Sequence, residues 1–146
     1  MSNVEAEMQS LVHETIPISR QMEFQVLSLD NSGIKSRAPL APNINIHNTG
    51  FAGSLYSLAA LTAWSYATHL VDYHGLKAEL VIASANIRYL RPVTDKIECI
   101  CATGKREMQR FIDTLAAGNK AKLELEVSVN HGRAMLKALI VALPEN

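Results

Sequence analysis

The chain has 146 residues, of which 48% are hydrophobic and 19% charged. That is enough apolar material for one globular core and too much for a disordered segment. Lys and Arg number 14, Asp and Glu also 14, and this zero net charge argues against a nucleic-acid or anionic-membrane partner.

Val4, Met8, Leu11 and Val12 recur at helical spacing and predict an amphipathic helix over 3–14, ended by Ile16 before Pro17. Residues 22–29 and 34–40 read as two strands. Asp30, Asn31, Ser32 and Gly33 between them are turn residues, so the pair is expected to form a hairpin that Pro39 and Pro42 bring to an end. The next segment, 42–54, is a polar loop rich in Asn, with Gly50 and Gly53 near its end. It opens into a helix predicted over 53–72, apolar on nearly every side and closed by Gly75. Such a helix has to be wrapped by other elements. Strands are expected over 78–89 and 95–103, and Met108, Phe111, Ile112 and Leu115 mark a short helix over 105–117. The strand over 121–129 alternates apolar and polar residues. Asn130 to Arg133 turns it into a last strand over 134–143. One long helix with an antiparallel sheet curled around it is an α+β domain, expected to occupy 1–146.

No basic stretch leading into an apolar run opens the chain, and no apolar run reaches membrane-spanning length. The expectation is a cytoplasmic protein with no membrane contact. Cys99 and Cys101 share one face of a strand and lack the second pair that a structural zinc site needs, so they read as reduced, buried side chains. His69 and His74 are five apart, which is not the spacing of a helical metal pair, and no metal or cofactor is expected. Trp64 and Tyr66 read as core.

The start of the central helix is the candidate site. Helix N-termini offer unpaired N–H groups and a positive dipole end, and glycines let a ligand approach them closely. This suits an anion or an oxyanion. Gly53 and Ser54 are the residues whose N–H groups fall there. Asn45 and Asn48 either turn and cap the loop or contact a ligand. His47 is either a general base or a loop histidine bonded to backbone. Ser54 and Ser57 either position a water or cap and pack the helix. Arg88 and Arg91 either hold phosphates or are solvated charges on a strand edge.

Several stretches resemble a known family. Asn45, Ile46, His47, Asn48, Thr49, Gly50, Phe51, Ala52 and Gly53 run in the frame Asn-x-x-Gly-x-x-His-Gly-Gly that precedes the central helix in hotdog-fold thioesterases. Asn45 and Gly53 match, while Asn48, Phe51 and Ala52 depart. Tyr89, Leu90, Arg91 and Pro92 resemble the end of the strand that follows the helix in that fold. The run from Ala38 to Asn45, with Phe51 to Tyr56, is similar to the thioesterase-like domain found C-terminal to some acetyltransferases of the GNAT type and also free-standing. The resemblance implies a hotdog fold and hydrolysis of an acyl-CoA or acyl-carrier-protein thioester. It also implies a homodimer or dimer of dimers, with the ligand tunnel between subunits.

Catalysis then falls to Asn45, His47, Gly53 and Ser54, with Asn43, Asn48, Thr49, Phe51, Ser57, Arg88 and Arg91 binding substrate. The helix carboxylate usual in such enzymes is replaced by Ala60. Its substitutes are His47, a water oriented by Asn45 or Asn48, or Asp30, Glu79 or Asp95 of a partner. The same gap supports an alternative, a non-catalytic acyl-binding module. A dehydratase on this fold would again depend on His47.

Overall fold

The computed structural model describes residues 3–145. Helix α1 spans Asn3–Thr15, and a single turn, α2, spans Ile18–Gln21. Strands β1 (Gln25–Asp30) and β2 (Gly33–Ala38) form the hairpin. A 3₁₀ turn at Ala41–Asn43 leads through the loop to α3 (Ala52–Tyr73). Then come β3 (Ala78–Tyr89), β4 (Ile97–Ala102), α4 (Lys105–Ala116), β5 (Ala121–Val129) and β6 (Ala134–Pro144).

The expected elements are present, several with shifted ends. The first strand begins at Gln25 rather than at residue 22, because Glu23 adopts a left-handed φ of 58° and turns the chain out of α2. The second ends at Ala38, since Pro39 brings no N–H to the ladder. The fourth is shorter than 95–103 at both ends.

The six strands are ordered β1-β2-β4-β5-β6-β3, and all neighbours are antiparallel. α3 packs against every one of them, so the sheet curves around the helix in the hotdog arrangement. The alternation in β5 sets the two faces: Ala121, Leu123, Leu125, Val127 and Val129 are buried, whereas Lys122, Glu124 and Glu126 are exposed. Ala59, Ala63 and Ala67 of α3 are fully buried, and their small side chains let helix and sheet approach closely. Leu58, Tyr66 and Leu70 fill the space between.

The hydroxyls of Ser36, Thr62 and Ser65 inside this core bond internally. Thr62 Oγ1 lies 2.6 Å from Leu58 O and 2.7 Å from Ser36 Oγ on β2, and Ser65 Oγ donates to Leu61 O at 2.7 Å. The helix ends where Gly75 takes a left-handed φ of 69°, which lets Leu76 N–H close back onto Val71 O at 3.1 Å. Two strands are left at the margins of the sheet. β3 is paired with β6 alone, so its other edge presents unpaired backbone groups.

Candidate active site

Asn45 is the first side-chain anchor of the loop before α3. Asn45 Oδ1 accepts from the N–H groups of His47 (2.9 Å) and Thr49 (3.1 Å), and Asn45 Nδ2 donates to Thr49 Oγ1 (2.9 Å) and Gly50 O (3.3 Å). Asn45 N–H donates to Thr49 O at 2.8 Å, and Asn48, at a left-handed φ of 61°, makes the turn between them. Both amide atoms of Asn45 are therefore committed to the loop. Asn43 is a second anchor. It is buried, and its Nδ2 donates to Met22 O and Pro39 O at 2.9 Å each. Its carbonyl accepts Phe51 N–H at 2.8 Å, while its Oδ1 has no partner among the described residues. Gly50 N–H bonds Val93 O at 2.7 Å, and a Cβ there would press on Leu55 Cδ2 at 3.0 Å, so the loop lies flat against the helix start.

These anchors aim the chain into α3 through Phe51, whose extended φ of −65° and ψ of 130° make it the N-cap, with no side-chain capping bond. The first helical bond is Leu55 N–H to Phe51 O at 3.0 Å. The N–H groups of Ala52, Gly53 and Ser54 have no acceptor among the described residues. Ala52 and Gly53 are exposed. The Phe51 ring lies over Gly53, where a Cβ would come within 2.6 Å of Phe51 Cε2. Tyr89, from the end of β3, donates its hydroxyl to Ala52 O at 2.8 Å and ties that strand to the helix start. Burial, and then the nearby Tyr56 phenol, push the Tyr89 pKa above its ordinary value.

Along α3, beginning at Tyr56 and Ser57 about one turn beyond these amides, runs an apolar groove of about 450 Å³. Its walls are Tyr56, Ser57, Ala60, Leu61 and Trp64 of α3, the start of β3 from Leu80 to Ile82, and Ile16, Ile18 and Met22 beyond α1. No Asp, Glu, His, Lys or Arg lines it. Trp64 is thus a groove residue rather than a core residue like the fully buried Tyr66, and its Nε1 donates to Leu80 O at 3.2 Å. A second cavity, of about 320 Å³, adjoins the first residue of α3 and gathers Asn45, Thr49, Ala52, Tyr89 and Arg91.

The geometry brings Asn43, Asn45, Thr49, Phe51, Gly53 and Ser54 together around the helix start, with Ser57 one turn along and Arg91 beside it. Arg88, exposed on β3, lines neither cavity, and the His47 side chain is exposed on the outer turn of the loop. Tyr56 and Tyr89 are additional residues at this place. Tyr56 is legible in the sequence, being three residues from Gly53 on a helix, whereas Tyr89 arrives only through the course of β3.

Cys99 and Cys101 are free, buried and away from both cavities, and burial pushes both thiols up to about 12. Among the described residues no cluster of His, Cys, Asp or Glu is arranged to hold a metal ion, and no helix is long and apolar enough to cross a membrane.

Residues 5–139 match a family model described as "Putative thioesterase (yiiD_Cterm)". The crystal structure of the "putative thioesterase from Shewanella oneidensis" is 35% identical, with a TM-score of 0.84 over 99% of this chain and 100% of that one. A Chlorobaculum tepidum protein of unknown function superposes with a TM-score of 0.91 at 24% identity, over 97% of this chain and 95% of that one. The E. coli PaaI protein from the phenylacetic acid degradation operon shares the fold at 15% identity, with a TM-score of 0.66 over 99% and 97% of the two chains. The chain belongs to the yiiD_Cterm thioesterase family and has its hotdog fold.

Proposed function

From membership in that family, we propose that the protein hydrolyses an acyl-CoA or acyl-carrier-protein thioester at the start of α3. One observation carries this reading: the unpaired amides at Ala52, Gly53 and Ser54 lie about one turn before Tyr56 and Ser57, the first residues of α3 that line an apolar groove on the same helix. A thioester carbonyl set against the Gly53 and Ser54 N–H groups gains negative charge on its oxygen as water adds to its carbon. Amides fixed by the helix, and backed by its dipole, meet that charge without reorganising. The C–S bond then breaks, the thiolate leaves with a proton, and the acid is released. The acyl chain lies in the groove, with the hydroxyls of Tyr56 and Ser57 at its mouth. The thiol arm leaves past Asn45, Thr49 and Arg91, and the Arg91 guanidinium suits a phosphate on that arm.

The water needs a base, and none lines the groove. In this reading His47 takes the proton, from the loop that Asn45 shapes. Asn43 and Asn48 hold the loop's form and Phe51 covers the amides. Arg88 meets the carrier farther out. A homodimer formed along the free edge of β3 would roof the groove and could bring Asp30, Glu79 or Asp95 of a second copy to the water instead.

Incubation with acyl-CoA and acyl-carrier-protein thioesters, with mass spectrometry of the released acid, tests the reading. Activity that His47→Ala abolishes and that needs Gly53 supports it. Activity that survives His47→Ala moves the base to the second copy. No acid from any thioester, with acyl-CoA still binding, favours the non-catalytic acyl-binding module, for which the absence of any Asp, Glu, His, Lys or Arg side chain from the groove is the specific observation.

A further inference from the structure

Helix geometry fixes the distance from Gly53, three residues before the first groove-lining residue of α3 (Tyr56), to Trp64, the last. Gly53, Ser57, Ala60 and Trp64 fall on one face of α3, because steps of four, three and four residues return to nearly the same angle. β3 runs back along this face. Tyr89 bonds Ala52 O at the helix start, and Leu80 O receives the Trp64 indole N–H at 3.2 Å at the other end. That bond holds the Trp64 ring at the end of the groove.

From Gly53 to Trp64 the helix rises about 16 Å. An extended hydrocarbon advances about 1.25 Å per carbon, given C–C bonds of about 1.5 Å at tetrahedral angles. The distance therefore holds about 13 carbons. Beyond the hydroxyls of Tyr56 and Ser57 the lining side chains are apolar, and the Trp64 N–H is already bonded. Nothing there would satisfy a hydroxyl or a charge on the chain.

We infer that the groove takes a plain hydrocarbon acyl chain of about 12 carbons, with Ala60 keeping the passage open and Trp64 as its end stop. This rests on the thioester reading for one thing only, the placement of the carbonyl at Gly53.

Trp64 is the chain's one tryptophan, so its fluorescence reports occupancy of the groove without any turnover. Saturated acyl-CoA esters of 2 to 18 carbons, and the matching acyl-N-acetylcysteamine thioesters, would be titrated below their micelle concentrations. The expected apparent Kd falls by up to about fourfold per added methylene, then levels near 12 to 14 carbons. Ala60→Leu fills the passage seven residues from Gly53, about 10 Å along the helix, and should bring the plateau down to about 8 carbons. Ala60→Val repeats the test with a smaller intrusion if Ala60→Leu does not fold.

A Kd independent of chain length overturns the inference. So does a plateau that folded Ala60 variants leave in place, or a Trp64 signal silent at every length. The last result would mean that a second copy fills the groove. Acid release measured in the same samples separates the two proposals. Length-dependent binding without hydrolysis sinks the thioesterase reading and leaves this one standing. Hydrolysis without length dependence does the reverse.

Discussion

Replacing single residues of the first turn of α3 by proline removes one N–H at a time, and the consequences can be worked out beforehand. Proline inside a helix costs about 3 kcal/mol, chiefly through a lost i→i−4 bond and a clash with the preceding turn. Neither Ala52 nor Gly53 makes such a bond, since the ladder begins with Leu55 N–H. Ala52→Pro follows Phe51, whose ψ of 130° already suits the residue before a proline. Its stability should be unchanged or up to about 1 kcal/mol higher. Gly53→Pro is less comfortable. Its ring would displace the Phe51 side chain, which is 53% exposed and free to swing out, and it would follow Ala52 in helical conformation. A loss on the order of 1 kcal/mol is expected. Activity should divide the pair the other way. Loss of one oxyanion donor commonly costs a factor of 10² to 10³, or about 3–4 kcal/mol. Gly53→Pro should therefore reduce kcat/KM by that factor while Ala52→Pro stays within about tenfold. Acid release by mass spectrometry, beside thermal melts of each variant, measures both quantities. Wild-type activity in a folded Gly53→Pro protein, or equal losses in both variants, would refute the assignment of the Gly53 amide.

Thr62→Val should destabilise by about 1–3 kcal/mol in urea, because it leaves buried Ser36 Oγ without its 2.7 Å partner. Adding Ser36→Ala should recover much of that loss, and two simply additive losses would refute the coupling. Cys99 and Cys101, with thiols pushed from 9.0 to about 12 by burial, should resist thiol reagents at pH 8 in the native protein and react once it is unfolded. Because the native state keeps those protons longer than the unfolded chain, stability should fall as pH rises from about 9 towards about 12. Rapid native labelling would contradict the burial. Burial also lowers the His69 pKa below 6.5, against the pull of Asp30, Asp72 and Glu5 and with a smaller push from His74. The unfolded chain then takes the proton first, so stability should drop as pH falls below about 6.5. His69→Gln should flatten that part of the profile in chemical denaturation, and an unchanged slope would remove His69 as its source.

The sequence was most legible where the local pattern and the tertiary environment ask for the same thing. β5 and β3 have the ends expected of them, 121–129 and 78–89. Alternation and the flanking turn residues act locally, and the curled sheet rewards the same faces. The breadth of the apolar surface on α3 already required a wrapping sheet. The first strand starts later than its pattern suggests, because Met22 and Phe24 are buried as in a strand while Glu23 between them is left-handed, and Glu carries no turn signal. At the site, an Asn followed by polar residues could equally be a ligand contact or the core of a turn. Asn45 is decided by Thr49 and Gly50 folding back onto it. Trp64 looked like core because a tryptophan on an apolar helix normally is. What leaves its face open is the position of β3 at the margin of the sheet, a fact about strand order that spacing along the helix does not carry.

Ala60 connects the groove to the missing base. A carboxylate at this position would project among Leu61, Trp64, Leu80 and Ile82. Such surroundings disfavour its charged form and raise its pKa, and an ionised group there would be desolvated further by each methylene of an entering chain. Alanine removes that conflict and leaves the apolar passage continuous past Ser57 towards Trp64. In the proposed reaction, the two demands would then be served by different parts of the fold. Charge on the carbonyl oxygen would be met by amides that the helix cannot help presenting, and the chain would be held by surface that the edge strand leaves uncovered. Proton transfer would be displaced to a polar, hydrated place, where a histidine or a carboxylate of a second copy needs no burial to work. An apolar groove without a carboxylate is thus compatible with hydrolysis, provided the water is activated at the rim of the groove and not at its floor.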